Sequence, residues 1–173
     1  MMDFAIWIQA TGFFTALRES WYMYPLILSL HMITIALFGG LIVVTDLRLL
    51  GIVLRNRPIA EVVNSLRPLK HAGLTLMVLF GLLMLGTKAE EYFLNSWFQA
   101  KMALLVLVGV HALVFRGSVY KKAAEFDAAG KIPSNAKLAA TLSLILWTSI
   151  LVCGRGIGYI NPDLDRVHAL LLR

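Results

Sequence analysis

Apolar residues run almost unbroken through four stretches of this chain, about 25–44, 68–86, 97–115 and 138–154, and charged residues collect in the segments between them. Each stretch is close to the roughly 17–25 residues that a helix needs to cross the hydrocarbon core of a bilayer. Pro25 opens the first at a position where a helix tolerates proline, and charge returns at Asp46. The pattern predicts an all-α fold: an integral membrane four-helix antiparallel bundle, built as a single membrane domain over residues 1–173.

The flanking segments are amphiphilic rather than empty. Phe4 to Leu17 mixes Trp7, Ile8, Phe13 and Phe14 with Gln9, Thr11 and Thr15, too short and too mixed to span, and is expected as one N-terminal interfacial helix. After the first span, Leu47 to Leu54 with Val62 and Val63 predicts an amphipathic helix lying on the membrane within the loop 47–66. Thr87 to Ser96 is a short connection, acidic at Glu90 and Glu91. A polar connection follows Phe115, where Gly130 and Pro133 interrupt any continuous helix. A tail containing Asn161-Pro162 runs to Arg173.

Composition agrees with membrane residence: 59% of residues are hydrophobic, 15% are charged, and mean hydropathy is +0.77. The net charge of +6 does not point to nucleic acid, because the cations sit in the short segments and not along a hydrophilic face. Arg48, Arg55, Arg57, Arg67 and Lys70 follow the first span, and Arg116, Lys121, Lys122, Lys131 and Lys137 follow the third. By the positive-inside rule these two basic loops are cytoplasmic, which places both termini outside, at the periplasmic face of a bacterial inner membrane. Trp7, Trp21, Tyr22, Tyr24, Tyr92, Trp97 and Tyr159 fall at the outer ends of the spans, where amphipathic rings settle. The first twenty residues lack an early cation and a small-residue cleavage pattern, so a removable signal peptide is not expected. A single cysteine, Cys153, excludes an intrachain disulfide and a thiolate metal cluster. No internal repeat supports an inverted-repeat transporter.

Chemistry enters with the histidines. Three of four, His31, His71 and His111, lie inside the spans, where an imidazole is costly unless something holds it. His71 opens the second span and His111 lies five residues before Arg116, so at about 1.5 Å per residue both sit near the cytoplasmic boundary. Gly39 and Gly40 fall at a similar depth and offer clearance for a flat macrocycle or a neighbouring helix. Two imidazoles from different helices are what a haem b needs axially, with Leu74, Val78, Leu107 and Val108 as an apolar slot. The plain alternatives are that His111 bonds a neighbouring helix and that His71, beside Lys70, meets headgroups.

A second grouping lies in the outer half. His31, Lys101 and Arg155 can all be cationic, so an anion is expected among them: Glu90, Glu91, haem propionates, a lipid headgroup or a quinone oxygen. The plain alternative has Lys101 and Arg155 reaching to the headgroups. Met84 or Met102 with His31 is a further axial pair, against which stands ordinary methionine packing. His168 reads as a surface residue, Trp147 as core, and Thr75, Thr141, Ser143, Thr148 and Ser149 as hydroxyls bonding carbonyls one turn back. No phosphate loop, Ser/His/Asp triad or HExxH pattern occurs. The lack of an acidic residue deep in a span speaks against a proton pump.

The run LSLHMITIALFGGLIVVTDLRLLG, the ending FGLLMLG, then NSWFQAKMALLVLVGVHALVF and the closing CGRGIGYI resemble an uncharacterised family of small bacterial four-helix inner-membrane proteins. That resemblance covers nearly the whole chain and implies the fold without an activity. By helix plan and histidine placement alone, the chain is also similar to b-type cytochromes that pass electrons between quinol and periplasmic partners. The dihaem members of that class carry four intramembrane histidines, against three here. The expected function is therefore electron transfer by a membrane-embedded b-type haem protein, with His71 and His111 on the iron and His31 at a second site. Quinone and a membrane or periplasmic redox protein are its expected partners, and it need not be an enzyme by itself. Two other readings stay open: a cofactor-free subunit of a homo-oligomer or larger complex, and a transporter protomer.

Overall fold

Each apolar stretch is a helix, and each helix outruns its apolar run. The computed structural model describes residues 2–159, which form α1 (Met2–Gln9), α2 (Gly12–Glu19), α3 (Met23–Leu49), α4 (Ile59–Thr87), α5 (Ala89–Leu94), α6 (Ser96–Phe115), α7 (Ala123–Ala129) and α8 (Ser134–Ile157). One π turn, Arg116–Tyr120, joins α6 to α7, and no strand occurs among the described residues. The long helices α3, α4, α6 and α8 are each long and apolar enough to cross a membrane. At 27 and 29 residues, α3 and α4 extend about 40 Å, beyond a hydrocarbon core of about 30 Å. Pro68 lies within α4 and not at its start, where its ring removes one main-chain donor.

The excess length of α3 and α4 corrects the expectation of a separate amphipathic helix in the loop 47–66. Leu49 ends α3, and Val62 and Val63 belong to the first turns of α4, all three buried. The 50–58 connection turns sharply: Ile52 N–H donates to the Leu47 carbonyl (2.9 Å), and Gly51 takes the left-handed region (φ 74°). Asp127 of α7 then fixes where α4 begins, its two carboxylate oxygens accepting from the Ile59 and Ala60 N–H groups at 2.7 and 2.8 Å. Arg48 donates from Nε and Nη2 to the Arg57 carbonyl at 3.0 and 2.7 Å, tying the same turn from the α3 side.

This end, which carries the 50–58 and 116–133 connections, is the basic end. Its core is Leu49, Ile59, Val63, Val119, Ala123 and the small face Ala136, Ala139 and Ala140 of α8. Gly130, expected to interrupt a helix here, takes φ 63° and caps α7. At the opposite, aromatic end the expected single interfacial helix is two short ones, α1 and α2, broken near Ala10 and Thr11. The break lets Gln9 face α5: its Nε2 donates to Glu90 Oε2 (3.0 Å) while its Oε1 accepts from Glu90 N–H (3.1 Å). Phe14 fills the space at Gly86, where any Cβ would collide with its ring.

Among the spans, α3 packs along α4 and α8, and α8 packs along α6. Although they are successive spans, α4 and α6 do not pack along one another. Phe38 of α3 meets Trp147 of α8 edge-on at 5.2 Å between ring centres, so Trp147 packs inside the bundle as its mid-span position suggests. The outward faces are hydrocarbon, with Leu37, Val106 and Leu113 well exposed, as suits contact with lipid.

Candidate functional site

Two buried polar groupings lie inside the bundle, one in each half. In the half nearer the aromatic end, His31 of α3 is only 8% exposed, and its Nδ1 has no hydrogen-bond partner. The ring comes close to α4 because Gly81 has no side chain: a Cβ there would stand 3.1 Å from the imidazole Cε1. The main chain of Met77, one turn earlier on α4, holds the imidazole by a hydrogen bond. Lys101 of α6 is near enough for its charge to act on His31, and the buried Cys153 of α8 lies beside Lys101 in turn. All four spans thus contribute to one level of the bundle.

Of the three groups expected in this half, His31 and Lys101 are near enough to interact electrostatically; Arg155 does not join them, being exposed, bonded to Tyr159 Oη (Nη2 donor, 2.7 Å) and stacked over that ring at 4.7 Å. The carboxylates considered as their partners are engaged at the aromatic end, Glu90 with Gln9 and Glu91 with Lys88 at 3.2 Å. Among the described residues Lys101 makes no ion pair. Met102 faces outward at 44% exposure.

His71 and His111 are not brought together. His71 is exposed on α4, and its carbonyl accepts from Thr75 Oγ1 at 3.0 Å. His111 is half-buried on α6, its Nε2 2.9 Å from the Ala139 carbonyl of α8 and its ring 4.8 Å from that of Phe115. Only Nδ1, the ring nitrogen closest to its own backbone, is left for a metal, so an axial role through Nε2 requires His111 to leave Ala139. A Cβ at Gly39 or Gly40 would meet nothing within 4 Å, so neither marks a close helix crossing. His168 lies outside the described residues.

The grouping that sequence reasoning missed is in the half nearer the basic end. Asp46 is 1% exposed in the last turn of α3, and its Oδ2 has no hydrogen-bond partner. Ser143 of α8 and Lys70 of α4 lie beside it, and Lys70 Nζ donates to Thr45 Oγ1 at 3.1 Å. Tyr120, from the π turn, completes the surroundings. Burial and the nearby Asp46 charge push its phenol well above the ordinary tyrosine range, so it stays protonated. The return of charge at Asp46 had suggested the end of a span. The signal to the contrary is Leu47, Leu49 and Leu50, which continue the apolar run around Asp46 and Arg48. Ser143, grouped with the packing hydroxyls, instead faces this acid, whereas Thr75, Thr141 and Ser149 do bond carbonyls one turn back.

An all-α chain of four membrane-length helices, with ionisable groups turned inward at two depths, defines a multi-pass membrane protein of the four-helix-bundle class. Within that class the chain belongs to a family of unknown function (DUF6644), which matches residues 10–160 and so takes in all four spans. No curated protein and no solved structure matches it.

Proposed function

We propose that the chain is a membrane-embedded electron-transfer subunit, in which Lys101 donates to an oxygen of a membrane-soluble redox carrier, either a quinone carbonyl or a propionate of haem b, with the open His31 Nδ1 beside it. The observation that carries this reading is a buried imidazole with an unpartnered Nδ1 beside an ammonium that makes no ion pair among the described residues. An ammonium without a counter-charge is poorly solvated at that depth, so it is stabilised by an acceptor that arrives from the membrane. At about 1.5 Å per residue His31 lies roughly 12 Å along α3 from Met23 and Lys101 roughly 8 Å along α6 from Ser96, a depth that a lipid-soluble ligand reaches more readily than an aqueous one.

Haem or quinone would supply the change of oxidation state. The chain's own part is to orient the carrier and to set its potential. Lys101 offers a positive charge in a low-dielectric site, which favours the more negative, reduced form of whatever oxygen it faces. The Met77 main chain fixes the His31 ring, and Gly81 gives it room. Iron ligation by His71 and His111 stands apart from this site, since His71 is exposed on a helix that does not pack along α6 and His111 Nε2 is engaged at Ala139. In a bacterial inner membrane the two basic connections would face the cytoplasm, leaving α1, α2 and α5 to meet a periplasmic redox partner. A cofactor-free subunit of a larger complex is the competing reading; it is favoured by α6, which has no buried residue and turns Val106, Val110 and Leu113 outward.

The protein purified in mild detergent tests this directly. A Soret band that sharpens and shifts on dithionite reduction identifies haem, and a quinone recovered by solvent extraction identifies the other carrier. A folded preparation that is colourless, free of quinone and unable to take up added quinone or haem would remove the proposal in favour of the structural subunit.

A further inference from the structure

The Asp46 grouping lies apart from His31 and Lys101: fifteen positions separate Asp46 from His31 along α3, roughly 22 Å of helix. It calls for an explanation of its own. A carboxylate oxygen in hydrocarbon without a donor is costly, and evolution has ready remedies in a paired cation or an apolar replacement. Lys70 lies nearby but donates to Thr45 Oγ1 at 3.1 Å and forms no ion pair with Asp46, and Oδ2 stays without a partner.

Among the groups facing Asp46 are the Lys70 ammonium from α4, with Arg67 close behind it, the Ser143 hydroxyl from α8, and the Tyr120 phenol from the π turn. On its own helix are Thr45 and Arg48, the latter committed to the Arg57 carbonyl. His111 of α6 is turned to the Ala139 carbonyl, one turn from Ser143. The fixed positive charge of Lys70 repels a metal cation. A proton on Oδ2 converts the bare buried acceptor into a donor and relieves the carboxylate of a charge that burial disfavours.

We propose that Asp46 is a proton-binding site of the membrane interior, which takes one proton onto Oδ2 and returns it to the aqueous phase at the basic end past the Tyr120 hydroxyl. Asp46 lies three residues from the end of α3, and Tyr120 is half-buried on the connection at that end, so the route is short. The reaction is a single balanced step, carboxylate plus proton giving carboxylic acid, with no other reactant. It does not depend on the function assigned to His31 and Lys101.

Infrared titration of the full-length protein in lipid nanodiscs tests it. A protonated-carboxyl C=O band that falls as pH rises is expected in the wild type and should be lost in Asp46→Asn. Ser143→Ala keeps the carboxyl and should shift the band, because the neighbouring hydroxyl is gone. Persistence of an unchanged band in Asp46→Asn, its absence from the wild type at every pH, or no shift in Ser143→Ala would each overturn the proposal. So would replacement of the band by carboxylate on adding sodium chloride at fixed pH, which would make the site one for a metal cation.

Discussion

Glycines show most directly how closely single residues control this bundle. At Gly86 and Gly156 a Cβ would run into the rings of Phe14 and Trp97, whereas at Gly39 and Gly109 it would meet nothing within 4 Å. Gly86→Ala and Gly156→Ala are therefore expected to cost about 1–3 kcal/mol through overpacking. Gly39→Ala and Gly109→Ala should be neutral or gain up to about 1 kcal/mol from better helix propensity. Reversible unfolding in mixed micelles separates the two pairs, and equal effects across all four would refute the packing described. Gly81→Ala is the informative case, since His31 Cε1 would stand 3.1 Å away and the imidazole must shift by a few tenths of an ångström. Retention of the redox carrier should fall there by more than stability does. None of these roles was legible in the sequence, where Gly39 and Gly40 drew attention as an adjacent pair and Gly81 did not. Periodicity locates a glycine on a helix but does not say which neighbour lies opposite.

At the scale of elements, hydropathy located the spans closely but misjudged their ends. Charge does not mark the end of the helix: α3 carries Asp46 and Arg48 as buried residues because α4, α7 and α8 enclose its last turn. The supposed surface helix of the loop 47–66 failed for the same reason: its leucines and valines had a protein core to enter, and that core depends on contacts with residues some seventy positions away. Asp127 is the clearest of these distant dependences. Its replacement by Ala leaves the Ile59 and Ala60 N–H groups without their acceptor and should destabilise the start of α4 by about 1–2 kcal/mol. Hydrogen exchange at those two amides should rise while that at the middle of α4 stays slow. Equal protection in both proteins would show that the cap contributes nothing. At the other end, Gln9→Ala should free α1 from α5 and expose the Ala10–Thr11 break to protease, leaving the four spans intact.

For the whole molecule, the all-α class and the number of spans follow from hydropathy alone, because a helix satisfies its own backbone in lipid and needs no partner to be recognised. Which side chains meet inside does not follow, because it is fixed by helix rotation and by the choice of neighbours. Depth along the chain sets His31 and Lys101 near one level, and Lys101 is near enough for its charge to act on His31. Depth also set His71 level with His111, but the two face different surroundings on helices that do not pack together. Orientation in the membrane has its own test. Single cysteines introduced into a Cys153→Ser background at Arg55 and Lys131 should be reached by an impermeant thiol reagent only from the cytoplasmic side, and one at Lys88 only from outside. The opposite labelling would invert the topology.

The most direct measurement on the assigned centre compares how much haem and quinone copurify with the wild type and with His31→Ala, Lys101→Met and His71→Ala, each checked for folding by its thermal transition. The carrier should be lost, at least tenfold, from the first two variants and retained in the third. Retention at wild-type stoichiometry in both His31→Ala and Lys101→Met would contradict the assignment of that centre.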